Sequence, residues 1–189
     1  MAVVNYQYNN LVRKSELITS IITILDNFDQ EELYLTGGIL RNAIWSKLHY
    51  RGEESYSDDC DIIFYSDKID RKYERDIENY LEISFPYLKW SVKNQARMHT
   101  RNGHLKYKNI IEAIYCFPET SSAFAINGKW DIIAPYGYHD LLNLRLCPTH
   151  FCKKNELHIF HKRISEKKWL QEFELLTHYS TQKKVTREI

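Results

Sequence analysis

LTGGILRNAIWSKLHY (Leu35–Tyr50) and DDCDIIFYSD (Asp58–Asp67) are separated by a short polar gap, and the hydrophobic period changes between and within them. Leu33 to Thr36 is a brief apolar run closed by Gly37-Gly38. Beyond the glycines, Leu40, Ala43, Ile44 and Leu48 lie along one face at the helical period. The unit reads as strand, Gly-Gly turn, helix. His49 to Ser57 reads as a loop, and the segment from Asp59 to Tyr65 is β-branched and aromatic, a second strand.

Upstream, Ile18, Ile21, Ile22, Leu25 and Phe28 predict a helix with one buried stripe across about Asn10 to Phe28. Downstream, Tyr73, Ile77 and Leu81 predict an amphipathic helix over Asp70 to Ile83, ending before Pro86. Leu88 to Val92 alternates as a strand, and Asn109 to Tyr115 reads as a short capped helix. Ala123 to Ile126 and Trp130 to Ile133 flank Asn127-Gly128, a strong hairpin signal. A helix is expected from near His139 until Pro148, and a last one across Glu156 to Phe173. Strands and helices mix without strict alternation, so the class is α+β or mixed α/β, with a mixed or antiparallel sheet flanked by helices.

The 189 residues, 43% hydrophobic and 27% charged, suit one globular domain and exclude a multi-domain polymerase. Only 6 Gly and 4 Pro punctuate the chain, so no interior linker is placed; residues 1–180 are read as one domain and 181–189 as a frayed polar tail. Aromatics at 14%, including 14 Tyr, predict an aromatic-rich core. With 26 Lys+Arg against 25 Asp+Glu, no global field draws the chain to nucleic acid, so any such contact must be local and is not favoured. Met1 to Asn10 lacks a signal-peptide pattern and nowhere do 18 apolar residues run together, which reads as cytoplasmic with no membrane partner.

Cys60, Cys116, Cys147 and Cys152 form no CxxC pair, consistent with reduced thiols. Cys147, His150, Cys152, His158 and His161 could in type hold zinc, but their irregular spacing matches no zinc module and reads as surface histidines beside ordinary thiols. The basic residues Lys153-Lys154, His161-Lys162-Arg163 and Lys167-Lys168 read as a solvated face. His99 and His104 have the chemistry of a base or a phosphate donor, yet a lone polar histidine is more often neither.

In Asp59-Cys60-Asp61 the two acids stand two apart on a strand, so both side chains leave the same face about 6 to 7 Å apart. Two such hard oxygen ligands suit Mg²⁺ or Mn²⁺ and, with a second ion roughly 3.5 to 4 Å away, phosphoryl or nucleotidyl transfer. Alone the pair is a weak signal and reads as a solvated strand end. Gly37 and Gly38, between a strand and a helix N-terminus, let a phosphate approach backbone N–H groups, with Arg41 and Asn42 in the first helical turn. Alone the glycines read as a plain tight turn; the combination carries the reading.

These two segments resemble the opening of the nucleotidyltransferase superfamily that includes DNA polymerase beta and CCA-adding enzymes. WSVKNQARMH (Trp90–His99), FPETSSAFAI (Phe117–Ile126) and APYGYHDLL (Ala134–Leu142) are similar to a bacterial family of small nucleotidyltransferase-like proteins. The resemblance spans roughly Leu33 to Leu146. It implies a mixed-sheet nucleotidyltransferase core similar to a CCA-adding enzyme head domain. Gly37 and Gly38 would hold an NTP triphosphate, Asp59 and Asp61 would hold metal, and Arg41 would contact phosphate or ribose. Lys93, Asn94 and Arg97 fall where those enzymes keep a basic nucleotide-binding motif, but without its Arg-Arg-Asp pattern. Cys60 replaces an aliphatic residue between the acids, and only Asp140 remains where relatives show two acids. The superfamily also expects a third catalytic acid, for which Asp131 is the first candidate and Glu112 the second. Without one, the site binds nucleotide but turns over slowly. The alternative is a degenerate nucleotide-binding or interaction module on the same fold. The acceptor is left open between protein, small molecule and RNA; some 40 residues after Leu146 are too few for the helical domains that grip tRNA.

Overall fold

The structure, a computed structural model, describes residues 11–49 and 59–179. Most of the expected loop from His49 to Ser57, the first ten residues and the tail 181–189 lie outside the described residues. In chain order the elements are α1 (Glu16–Leu25), β1 (Tyr34–Thr36), α2 (Gly38–Leu48), β2 (Asp59–Phe64), α3 (Arg71–Ser84) and β3 (Lys89–Asn94). There follow α4 (Gln95–Asn102), α5 (Ile110–Tyr115), β4 (Ala125–Asn127), β5 (Ile132–Ile133), α6 (His139–Leu142) and β6 (Arg145–Leu146). The last are α7 (His150–Asn155), α8 (Leu157–Lys167), α9 (Trp169–Glu172) and β7 (Thr177–His178).

Local chemistry sets the boundaries. The helix expected from Asn10 restarts at Glu16 because the Ser15 hydroxyl accepts from Ile18 N at 3.3 Å, an N-cap inside the predicted span. Asp70 caps α3 through Lys72 N and Tyr73 N, and Asn109 caps α5 through Glu112 N. The single helix expected over Glu156 to Phe173 is divided because Lys168 takes a left-handed conformation (φ 51°), ending α8 and opening α9.

The sheet order is β3-β2-β1-β4-β5. β2 and β3 are parallel and the other neighbours antiparallel, so the sheet is mixed. The strand period of two sorts side chains onto two faces. One carries Leu35, Cys60, Ile62, Phe64, Trp90, Val92 and Ile126, all packed in the main core with residues of α1, α2 and α3. The opposite face carries Thr36, Asp59, Asp61, Ile63, Ser91, Lys93 and Ala125. Only part of it is covered, by a small second core of Tyr34, Ile63, Ile114, Ala123 and Ala125. The uncovered part of this second face is where a site can open.

The β4–β5 hairpin forms, but its loop is longer than the two-residue turn that Asn-Gly predicts. Asn127 N donates to Asp131 O at 3.1 Å and Trp130 N to Asn127 O at 3.0 Å, and the positive φ falls on Trp130 (67°). Gly128 is needed for a different reason. A Cβ there would stand 2.4 Å from Asp26 N, at the C-cap of α1.

The edge strand β3 is protected by α3. The Glu78 carboxylate accepts from Val92 N at 2.8 Å, and Glu74 from Asn94 N at 2.6 Å. Two side chains thereby close backbone donors that an edge would otherwise offer to another strand.

Candidate active site

β1 ends at Thr36, opposite Asp61 of β2, and Gly37 turns the chain into α2 with φ 80° and ψ −144°. That region is nearly glycine-only. The same residue packs directly on the acid: a Cβ at Gly37 would lie 2.7 Å from the Asp61 Oδ2. The turn at the start of α2 and the Asp-x-Asp strand are thus one surface. Gly37 supplies no side-chain cap to α2. The orphan N–H groups of the first turn and the positive end of the helix dipole are therefore available to an anion.

This surface floors a cleft of about 630 Å³. Gly37, Gly38, Arg41 and Asp61 line one side; Gln95, Met98 and Arg101 of α4 line another; Glu119, Ser122 and Arg163 close the third. Burial raises the Asp61 carboxyl pKa, and the nearby Asp59 charge raises it further, while hydrogen bonding to Ser91 and the Arg163 and Lys93 charges oppose the rise. Asp59 is exposed on the same face, with Lys167 Nζ 3.6 Å from its Oδ2.

Arg41 is buried rather than presented to the cleft opening. Its Nε and Nη2 donate to Asn42 Oδ1 at 3.1 and 2.9 Å, and its Nη1 donates to Ser122 Oγ at 2.9 Å. The guanidinium stacks on Trp169 at 4.3 Å and Trp45 at 5.0 Å. Burial lowers its pKa to about 10, which leaves it charged at neutral pH. Arg41 and Asn42 therefore brace the start of α2 from below.

Two carboxylates that repel each other on one strand fit a hard divalent cation that takes its remaining ligands from phosphate and water. Among the described residues no cluster of three or more His, Cys, Asp and Glu forms a closed metal cage. An Asp59–Asp61 pair that relies on substrate oxygens is the chemistry this donor set allows.

A nucleotidyltransferase family profile matches residues 23–178. The chain belongs to this nucleotidyltransferase family. A solution NMR structure described as revealing a CCA-adding enzyme head domain is 27% identical, with a TM-score of 0.78 over 92% of this chain and 94% of that one. CCA-adding enzymes in complex with CTP and with ATP share the fold at 16% identity, with TM-scores of 0.60 and 0.56. This chain spans 43% of the length of each of those two enzymes. Comparison with curated proteins gives no match.

For a member of this nucleotidyltransferase family, the structure brings together Gly37, Gly38, Asp61 and, beneath them, Arg41 and Asn42. It does not bring Asp131 there. Asp131 Oδ2 accepts from Asn127 Nδ2 at 3.2 Å, and Asn127 pairs with Tyr34, at the far end of β1 from the Thr36 that faces Asp61. Strand spacings of about 4.8 Å and a rise of about 3.4 Å per residue put Asn127 about 12 Å from Asp61, and Asp131 lies one strand further out. Alternation assigns it to the correct face; antiparallel pairing puts it at the wrong end. Glu112 is engaged at the start of α5, its carboxylate accepting from Lys108 N at 2.8 Å while its own N donates to Asn109 Oδ1 at 3.0 Å.

The basic run is also displaced. Lys93 lines the cleft, but its Nζ is 3.1 Å from Glu78 Oε1. Asn94 caps α4 and holds Ser66, accepting from Ala96 N and Ser66 N and donating to Ser66 O. Arg97 pairs with Glu74 at 3.0 Å and donates to Ile69 O at 2.7 Å. These cations balance the two glutamates that protect the β3 edge. The face of α4 turned to the cleft is instead Gln95, Met98 and Arg101, and Arg101 is an exposed cation with no ion pair among the described residues. Arg97→Ala is accordingly expected to lower stability by up to about 1 kcal/mol, the scale of a partly exposed pair, seen as a small drop in melting temperature with nucleotide affinity retained. Arg101→Ala should show the opposite split in the same two measurements.

The Cys/His group is not assembled. Cys147 and Cys152 are buried while His150, His158 and His161 are exposed. Burial pushes the Cys147 thiol up to about 11, and the Cys152 thiol hydrogen-bonds to Glu156 O. The amino-acid pattern does not single out Ser91, Glu119 or Ser122, and it marks Arg163 only as part of a solvated basic face. Glu119 lies within the quoted FPETSS run, but nothing in that run indicates its partner 44 residues later. No helix among the described residues is long and apolar enough to cross a membrane.

Proposed function

We propose that the cleft binds an NTP with Mg²⁺ or Mn²⁺ and transfers its nucleotidyl group to an acceptor. The observation that carries this reading is the contact of Gly37 with the Asp61 carboxylate at the open N-terminus of α2. It supports reading the glycine turn as a phosphate cradle and the neighbouring carboxylate as the acid that would hold the cation. The glycines and α2 would receive the triphosphate, Arg101 would add charge from α4, and Arg41 would hold the first turn of α2 rigid from below. Asp59 and Asp61 would hold the cation, which when bound neutralises phosphate oxygens and acidifies an attacking hydroxyl. In the transfer the acceptor oxygen bonds to the α-phosphorus, the bond to the bridging oxygen breaks, and pyrophosphate leaves.

Titration with each of the four NTPs, with Mg²⁺ and with EDTA, tests this. Mg²⁺-dependent affinity for at least one NTP, with pyrophosphate released in the presence of candidate acceptors, is the expected result. The position of Asp131 away from the acids, with Ser91 beside Asp61 on β3, favours as a second reading a nucleotide-binding module without turnover. Affinity without pyrophosphate release would select it. The absence of any Mg²⁺-dependent affinity would reject both.

A further inference from the structure

Helix α8 carries Ile159, Arg163 and Lys167 four residues apart, hence on one face, and that face is turned to the site. Ile159 and Arg163 line the cleft, and Lys167 reaches Asp59. The Arg163 Nε donates to the Glu119 Oε1 in a charge-assisted bond. Glu119 is fully buried, whereas the Arg163 side chain is 36% exposed. The anchor is therefore hidden and the anchored group is open. The other Glu119 oxygen, Oε2, is buried in the cleft wall with no hydrogen-bond partner among the described residues.

The two arginines of the cleft wall differ in how far they are committed. Arg41, on which the charges of Glu119, Arg163, Glu172 and Asp61 all act, has all three of its nitrogens bonded to Asn42 and Ser122 and its faces stacked on tryptophans. Arg163 is the more open of the two. With Nε committed to Glu119, its two terminal nitrogens form a fork of the geometry that grips phosphate oxygens in pairs.

We infer that Arg163, oriented by buried Glu119, is a polyphosphate ligand of the cleft, gripping the NTP phosphates and then pyrophosphate from the side opposite α2. Glu119 is its positioning residue. This rests on the NTP reading above and adds the C-terminal helix to the binding machinery. It replaces the solvated-face reading for Arg163.

The test compares wild type, Arg163→Ala, Arg163→Lys and Glu119→Gln in titrations with MgATP, MgCTP, the matching monophosphates and magnesium pyrophosphate. Arg163→Ala should weaken triphosphate and pyrophosphate binding on the order of 10- to 100-fold, the value of one lost charge-assisted contact, with monophosphate binding little changed. Arg163→Lys, a point charge without the fork, should recover only part of this, and Glu119→Gln should fall between. Equal triphosphate and pyrophosphate affinity in Arg163→Ala and wild type would overturn the inference, as would parallel losses for monophosphate and triphosphate, which mark a merely structural residue. Should wild type bind no NTP, the functional reading fails. Pyrophosphate then decides this inference alone, which stands on an Arg163-dependent affinity and falls without one.

Discussion

Asp61→Asn is expected to remove Mg²⁺-dependent NTP binding and to cut any nucleotidyl transfer by about 10³-fold or more, while leaving the protein as stable as wild type or more so. The catalytic loss follows from the cation it would hold, which is worth several kcal/mol of transition-state charge stabilisation, each 1.36 kcal/mol being tenfold in rate. The stability half follows from burial. Burial first, and the Asp59 charge next, raise the Asp61 pKa above its ordinary value of 3.8. A carboxyl with a raised folded-state pKa binds its proton more tightly when folded, so its stabilising contribution is lost as pH rises from the unfolded value through the folded one. Above that window the ionised acid is a cost, which asparagine removes while its amide oxygen still accepts from Ser91. Melting curves taken from about pH 3.8 upward should show the variant's relative advantage growing with pH until Asp61 is fully ionised. A variant clearly less stable than wild type at pH 8 would mean that Asp61 is a structural acid, and unchanged Mg²⁺-dependent affinity would remove it from the metal site.

Sequence patterns report local geometry well and long-range pairing poorly, and the residues here divide along that line. The shared face of Asp59 and Asp61, the buried position of Cys60 between them, and the strand, glycine turn and helix from Leu33 to Leu48 depend only on periods within a few residues; all are present. The stripe of Ile18, Ile21, Ile22 and Leu25 is buried for the same reason. Asp131 shows the limit. Alternation fixes which face an acid occupies, but the end of the sheet it reaches depends on which strand the hairpin joins and in which direction. The Lys93–Arg97 run shows another: a basic string is visible, but two glutamates from α3, needed to close the edge of β3, decide that its charges are spent on the scaffold. Arg97 and Arg101 stand four residues apart on neighbouring parts of α4, so periodicity does not choose between them; the Glu74 pair engages Arg97, and Arg101 is the cation that lines the cleft. Glu119 and Arg163 could not be paired from sequence, since their contact exists only once α8 has packed across the cleft.

Gly37→Ala is expected to damage folding and nucleotide binding through two separable causes. The first is conformational: at φ 80° and ψ −144° a side chain carries about 1 to 3 kcal/mol of strain, about 2 to 12 °C of melting temperature for a domain of this size. The second is steric. The new Cβ would lie 2.7 Å from the Asp61 Oδ2, so either the turn or the acid must shift, and the cleft loses its phosphate approach and its metal geometry together. A double-mutant cycle separates the two. In an Asp61→Ala background the carboxylate that meets the Cβ is gone while the strained backbone remains, so Gly37→Ala should cost less there than in wild type, by a coupling within the 0.5 to 3 kcal/mol that touching residues show. Thermal unfolding of the four proteins measures it. Strict additivity would show that Gly37 is required only for its turn, and the contact between the phosphate cradle and the acid would then carry no functional weight. A clear coupling, with NTP affinity lost in Gly37→Ala by more than its stability loss accounts for, ties the glycine turn to the acid as one binding surface.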